Sequence, residues 1–569
     1  MRRLLPVLVI LAINLKCAAQ QDSLLAPQGF FLDGFKPKIP VPPRGFEADA
    51  PPGALPGVAP PVVTIKVYPR DTVGPVSPWL FGNNANQWMG NMVDQPALID
   101  HIRTLDPGII RYPGGNGSNT FFWNAFPGHL PADVPDTLLY GEGIRARKEH
   151  YLYGLNPDPR VLSVFNYYRM LALTGSTGII CINQGYARYG RGPDPVAAAA
   201  HLAADWVRFD HGRTKFWELG NEDFGPWQAG YLIDTTHNRD GQPTLVSGDL
   251  YGRQCRVFID SMKAAARETG ADIRIGIVLL EAPPYRGAPP AERDWDDGVL
   301  RTAGNAADFL IVHSYYTPYK RNSDAAAILG TAHPVTDRMM DYMQSLMRTY
   351  HLGNKPVALT EYNIFAEGSR QQVSFVNGMH ATMVIGELAA RQFGMATRWD
   401  LANAYQEGND HGLFNKGDEP GAPLWNPRPV YYYLYYFNRC FGDHVVRSEV
   451  PDGDSSITAY ASTFSSGEKG VVIVNAGSEG RDVRVEVASD TLATGSAALH
   501  YYYYLLTGGS DNGEFSAKVF VNGRGPSTAS GGPDHLETLP ARSGRGGVSD
   551  LLVRAPGRSV MFVVIRRDQ

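Results

Sequence analysis

Cysteine is scarce: four residues of 569, with no spacing that suggests a metal site. That excludes a disulfide-stapled scaffold and a thiolate metal centre, and no His/Cys/Asp cluster supplies ligand spacing either. Neither a metal nor a cofactor is expected. Runs of Lys and Arg are absent too, and the net charge is −5. Without a basic face to collect phosphates, nucleic acid is excluded as a partner. The apolar run at the start, Leu4 to Leu15, has twelve residues, too few to cross roughly 30 Å of hydrocarbon, so no transmembrane anchor is expected there.

What is present begins with that same run. Met1-Arg2-Arg3 is positive, and Cys17-Ala18-Ala19 follows the apolar stretch as a small-residue cleavage site, which predicts an export signal over residues 1–19 and a periplasmic or extracellular protein. Lipid anchoring through Cys17 is disfavoured by Lys16, where lipoprotein signals usually carry a small residue. After cleavage, Cys181, Cys255 and Cys440 remain; one disulfide is the most they could form, and three buried thiols are expected.

With 43% apolar and 19% charged residues, the chain is globular and long enough for two or three domains. Residues 20–61 are crowded with Pro and Gly and read as an extended arm. The strand "VVTIKVYP" within residues 62–75 is expected to join a C-terminal β domain. Residues 76–438 then alternate short apolar runs with longer amphipathic stretches, the pattern of βα units. The runs are "WLFGNN" from Trp79, "GIIRYPGGN" from Gly108, "TGIICINQG" from Thr177, "KFWELGNE" from Lys215, "IRIGIVLL" from Ile273, "DFLIVHSYY" from Asp308, "PVALTEYN" from Pro356 and "ATRWDLAN" from Ala396. Eight such runs predict an α/β fold, a (β/α)8 TIM barrel. Over residues 439–569 the texture changes to short alternating strands such as "GVVIVNAG" and "SVMFVVIR", an all-β sandwich.

Parity selects the chemistry. In the fourth run Phe216, Glu218, Gly220 and Glu222 share a face, and in the seventh Val357, Leu359 and Glu361 do so. If both faces point inward, Glu222 and Glu361 end their strands at the barrel's C-terminal mouth, where barrel active sites are built. Two carboxylates across a barrel mouth suit glycoside hydrolysis: one protonates the leaving oxygen, the other attacks the anomeric carbon. Strands four and seven stand opposite each other, which predicts carboxyl groups roughly 5–5.5 Å apart and retention of configuration.

The "GNE" at 220–222 and "TEYN" at 360–363 resemble the acid/base and nucleophile signatures of glycoside hydrolase clan A. "RYPGGN" at 111–116, with Trp123 seven residues on, resembles the second-strand motif of its family 51, the α-L-arabinofuranosidases. The likeness implies a retaining enzyme on a (β/α)8 barrel, with Glu222 as acid/base, Asn221 on the sugar 2-hydroxyl and Glu361 as nucleophile. Tyr315, or else His313, matches the position that holds the nucleophile in place. One departure stands out: family 51 typically carries a glutamate after the first strand that binds the furanose hydroxyls, where this chain reads "FGNNANQW" with Asn83, Asn84 and Asn86. A β-xyloside or β-glucuronide therefore competes with an arabinofuranoside.

Arg111, Asn116, Asn83, Asn221, His313, Tyr315, Trp123 and Trp399 make up the expected substrate-binding set. Trp88, Trp123, Trp227 and Trp399 suit either stacking on a sugar face or filling a barrel end. Glu218 lies deeper on the face of Glu222 and is expected to be paired, with Arg111 as partner. Tyr431 to Tyr436 reads as a helix packed on the barrel, and Asn116-Gly117-Ser118 is a glycosylation sequence in a poor place for a glycan. The leading reading is an exported exo-acting α-L-arabinofuranosidase with a carbohydrate as its partner; a silent carbohydrate-binding barrel and a structural surface protein are the other classes. Homo-oligomerisation stays open.

Overall fold

The computed structural model describes residues 31, 34–48, 62–141, 145–488, 499–546 and 551–567. The expected export signal and most of the Pro/Gly-rich arm lie outside the described residues.

Eight parallel strands close into a barrel in sequential order: Gly82–Asn84, Ile109–Tyr112, Thr177–Ile182, Phe216–Leu219, Arg274–Val278, Phe309–Ser314, Val357–Tyr362 and Met395–Arg398. Seven of the eight apolar runs contain one of them whole, and the eighth run, from Ala396, starts one residue inside Met395–Arg398. A helix follows each strand: Pro96–Leu105, Val164–Thr174, Pro195–Asp210, Gly248–Thr269, Trp295–Ala303, Ala332–Thr349, Phe375–Ala390 and Pro429–Cys440. Their starts are written locally. Asp194 accepts from the amide of Ala197 with Pro195 in the first turn, and Ser163, Ser247 and Ser374 cap their helices in the same way. The strands read as unbroken apolar runs because one face fills the barrel and the other meets these helices.

Apart from three two-stranded sheets in the barrel loops, eleven further strands form one continuous ladder. Val62–Pro75 sits inside it, between His444–Glu449 and Arg481–Val487. Alternation then divides the side chains. Val471, Ile473, Met561, Val563, Tyr501 and Tyr503 fill the sandwich core, while Val472, Val474, Phe562, Val564 and Tyr502 turn to the barrel and join its core. The last helix is the meeting surface: the Tyr436 and Tyr504 rings lie 4.4 Å apart, and Tyr431, Tyr433 and Phe437 are fully buried.

The described part of the arm ties the two units together. Phe31 caps the N-terminal end of the barrel against Phe216 and Phe309, with ring centroids 4.8 and 5.2 Å away. The backbone amide of Lys38 donates to Asp443, and Phe46–Ala48 pairs in parallel with Ala541–Ser543 at the edge of the ladder. An edge position suits so Pro-rich a segment, which could not supply a central strand.

Candidate active site

The site is built around a buried guanidinium. Arg111, on the second strand, has no exposed surface and reaches four partners: Nε bonds Glu218 Oε2, Nη1 donates to Asn84 Oδ1 at 3.0 Å and to Glu361 Oε2 at 3.3 Å, and Nη2 donates to Asn221 Oδ1 at 2.8 Å. A buried cation is tolerated only with such compensation. Burial alone would raise the Glu218 carboxyl, but Arg111 and then His313 outweigh it and hold it at about 2. Four of its five N–H donors are thus taken by neighbouring side chains.

Glu222 reaches the mouth by a turn. The fourth strand ends at Leu219, and Gly220 follows with φ 78°, where an added Cβ would sit 2.1 Å from Asp223 Oδ2. Glu222 itself has φ 48°, a left-handed conformation uncommon for a side chain of its size. Asn119 fastens this turn, its amide donating to the Asn221 carbonyl and to Asp223 Oδ1, each at 3.1 Å. Asp223, buried with Oδ2 unpartnered, is pushed up to about 8 by that burial.

Glu361 arrives by a break in the strand ladder. The pairing register shifts between Leu359 and Tyr362, and again opposite, between Val312 and His313. Thr360 Oγ1 donates to the interior Glu218 at 3.0 Å, so residues 360 and 361 both reach the barrel interior. The alternation expected through Val357, Leu359 and Glu361 is thus corrected: an irregularity, which strict period-two reading cannot see, turns the glutamate inward.

The two carboxylates converge. One oxygen of Glu222, one of Glu361 and a ring nitrogen of His313 all lie within 4.8 Å of one another. Tyr315 donates its hydroxyl to Glu361 Oε1. His313 Nδ1 is 3.0 Å from Glu222 Oε1, and Trp227 Nε1 donates to Glu222 Oε2 at 2.9 Å. Burial would raise Glu222, yet these donors hold it below its ordinary value; burial and then the Glu222 charge push Glu361 up. His313 is disfavoured as a cation by burial, but the carboxylates around it prevail and push it up to about 9. This trio of donor atoms has the spacing of a metal cluster, but the guanidinium of Arg111 at 3.3 Å from Glu361 opposes a further cation.

The other expected residues divide. Asn221 is fully buried, and its Nδ2 has no hydrogen-bond partner among the described residues. Asn116 stands exposed after the second strand, with Oδ1 accepting from Gln228 at 2.9 Å. Trp399 covers Gly114 and Gly115 at the mouth and meets Trp88 edge-on at 6.2 Å. Trp123 does not reach the site: its ring stacks on Trp206 at 5.6 Å in the helix layer, with Nε1 donating to the Leu202 carbonyl. Asn83 is on the wrong side of its strand, lining a small cavity with Leu105, Ile385 and Leu434 on the outer wall. Its neighbour Asn84 takes the inward place, held by Arg111 and by the carbonyls of Thr360 and Thr397. Thr360 and Asn84 were both within the quoted motifs; only their direction was hidden. Cys181, Cys255 and Cys440 are free and buried.

No family model matches the chain. Among curated proteins it is similar to an intracellular exo-α-(1→5)-L-arabinofuranosidase from Acetivibrio thermocellus, 26% identical over 253 residues, and to one of the same name from Bifidobacterium longum, 21% identical over 278 residues. The matches take in 44% and 46% of this chain, which spans less than half the length of each relative, 44% and 43%. Among solved structures, the α-L-arabinofuranosidase from Thermotoga maritima superposes with a TM-score of 0.61 at 16% identity, covering 89% of this chain and all of that one. The chain is a relative of the family 51 arabinofuranosidases of clan A.

The fold agrees with that relationship, a (β/α)8 barrel followed by a β domain. Localisation does not follow the expectation. The Acetivibrio and Bifidobacterium relatives are both named intracellular, which overturns the reading of an exported protein. A positive start, an apolar run and small residues are features of composition alone, and residues 1–19 lie outside the described residues. Among the described residues, no helix is long and apolar enough to cross a membrane.

Proposed function

We propose that this protein is a retaining O-glycoside hydrolase that removes terminal α-L-arabinofuranose from oligosaccharides. The observation that carries the reading is the convergence of Glu222 and Glu361, whose oxygens fall within 4.8 Å around His313. That proximity suits double displacement, since it leaves no space for the water that an inverting enzyme seats between its carboxyls. Glu361, steered by Tyr315 and Arg111, attacks the anomeric carbon; Glu222 protonates the leaving oxygen and afterwards takes a proton from water. Asn221, held beside Glu222 by Arg111, takes the position that the resemblance sets on the sugar 2-hydroxyl.

The relatives' names support the sugar, exo action and an intracellular site of action, and an enzyme inside the cell meets short oligosaccharides more readily than polymers. A β-xyloside is the second reading. It is favoured by the loop after the first strand, where Asn84 and Asn86 are buried and no glutamate stands. Asn86 donates instead to Asp400 Oδ2, so a carboxylate does meet this loop, contributed by the residue pair Trp399-Asp400 beyond the eighth strand.

The test is hydrolysis of aryl α-L-arabinofuranoside, β-xyloside and β-glucuronide by the purified chain, with proton NMR of the first sugar released. Arabinofuranose of retained configuration is the expected result. Inverted product, or no turnover of any of the three, overturns the reading.

A further inference from the structure

The hydrogen-bond directions around His313 follow from its neighbours. Its Nε2 lies 3.0 Å from Thr360 Oγ1, and that hydroxyl lies 3.0 Å from Glu218 Oε1. Thr360 has a single proton to give. Glu218 is fully buried and ionised against Arg111, and a buried charged acceptor left without a donor costs more than a neutral one. The hydroxyl proton therefore points to Glu218, and Thr360 accepts from the ring. Glu218 Oε1 is itself 3.6 Å from Nε2, which again favours a proton there. With Nε2 protonated, Nδ1 faces Glu222 Oε1 at 3.0 Å, a distance at which two bare acceptors would repel. One proton must lie between them, on the ring or on the carboxyl.

We propose that His313 stores the acid/base proton of Glu222 between turnovers, and that Thr360 and Glu218 lock the ring in the tautomer that allows it. This rests on the glycosidase reading above. His313 acts through Glu222 and is a positioning residue.

The charged groups facing the ring are Glu218, Glu222 and Glu361, with Glu281 beyond the fifth strand and the Arg111 guanidinium behind Glu218 and Glu361. Three carboxylates close to one ring favour imidazolium at rest, and Glu222 is then a carboxylate with a donor on each oxygen, His313 and Trp227. In the first step Glu361 bonds to the anomeric carbon as the bond to the leaving oxygen breaks. The proton on Nδ1 passes to Glu222 and from there to the leaving oxygen, which leaves neutral His313 and ionised Glu222. In the second step the oxygen of water bonds to the anomeric carbon as the bond to Glu361 breaks. The proton from water passes to Glu222 and on to Nδ1, restoring the imidazolium.

The experiment is nitrogen-15 NMR of the full chain labelled at histidine, with His313→Asn identifying the ring. Nε2 should stay protonated throughout, Nδ1 should titrate with a midpoint of about 9, and Glu222→Gln should move that midpoint down by at least about one pH unit. A neutral ring protonated on Nδ1 with Nε2 bare, or a midpoint indifferent to Glu222→Gln, overturns the proposal. In kinetics, His313→Asn should cost about tenfold more kcat/KM on glycosides with poor leaving groups than on dinitrophenyl glycosides. Equal losses on both would mean a merely structural ring. If no glycoside is turned over, the glycosidase reading fails, while the NMR result still decides where the proton lies.

Discussion

Tyr315 donates its hydroxyl to Glu361 Oε1 from just beyond the sixth strand, while Arg111 approaches Oε2 from the opposite side of the barrel at 3.3 Å. The carboxylate is clamped so that one oxygen can attack without rotating. Tyr315→Phe removes a hydrogen bond to a charged acceptor, worth roughly 1.5–3 kcal/mol, and should lower kcat/KM by about 10- to 100-fold. It should also raise the pH at which Glu361 ionises. Steady-state kinetics across pH checks both effects.

Glu361→Gln should abolish turnover on every substrate, since no covalent sugar ester can form. Glu222→Gln should spare substrates with good leaving groups, which need little protonation, and added azide should restore turnover by attacking the ester. The two variants must therefore differ in their response to azide and to leaving group. If they respond alike, the two roles are misassigned.

The barrel was legible because each strand is buried on both faces, so eight apolar runs stand out from the amphipathic helices between them. The direction of individual side chains was less so. The first strand, Gly82–Asn84, is too short for a period, and the sequence offers no reason to prefer Asn84 over Asn83. In the seventh strand the register shift brings both Thr360 and Glu361 inward, a feature set by pairing with neighbouring strands rather than by local sequence. Trp123 shows the same limit: a large ring near a motif suits a sugar platform and a helix-layer core equally until Trp206 is known to lie against it. The pairing of Arg111 with Glu218 was readable from burial logic alone, because a carboxylate that deep requires a cation.

The pH profile should be bell-shaped. Glu361 must be ionised to attack, and burial with the Glu222 charge raises it, so the acid limb should lie above the ordinary carboxylate range. The alkaline limb should fall near the His313 midpoint of about 9, where the proton shared with Glu222 is lost. Stability follows the same group. A folded value of about 9 exceeds the ordinary 6.5, so this contribution is fully present below 6.5 and disappears as pH rises toward 9. Rate profiles and melting temperatures across pH 5 to about 10 measure both.

Gly115→Ala should disable the mouth. Gly115 has φ 65°, and an added Cβ would sit 2.6 Å from the Trp399 ring. Backbone strain of about 1–3 kcal/mol and displacement of the tryptophan should both follow. A lower melting temperature together with a raised KM is the expected pair of observations; a normal KM would remove Trp399 from the sugar site.

A chain ending at Tyr436 should be poorly soluble. The sandwich is not an appendage, because strands Lys469–Asn475 and Ser559–Arg567 present one row of side chains to the sandwich core and the other to the barrel. Removing them uncovers Tyr436 and the apolar face of its helix, and strips Val62–Pro75 of both its neighbours. Burial of each large apolar side chain contributes roughly 1.5–3 kcal/mol, so losing a row of them exceeds the margin on which a domain survives. The polar contacts run the same way: Tyr460 donates to Glu387 on the seventh barrel helix at 2.8 Å, and the Phe375 amide at the start of that helix donates to the Ser516 carbonyl at 3.0 Å. That helix follows the strand carrying Glu361, so truncation should loosen the nucleophile's support as well as expose apolar surface. Solubility and turnover of the truncated chain test this together; a soluble, fully active barrel would show that the sandwich contributes neither.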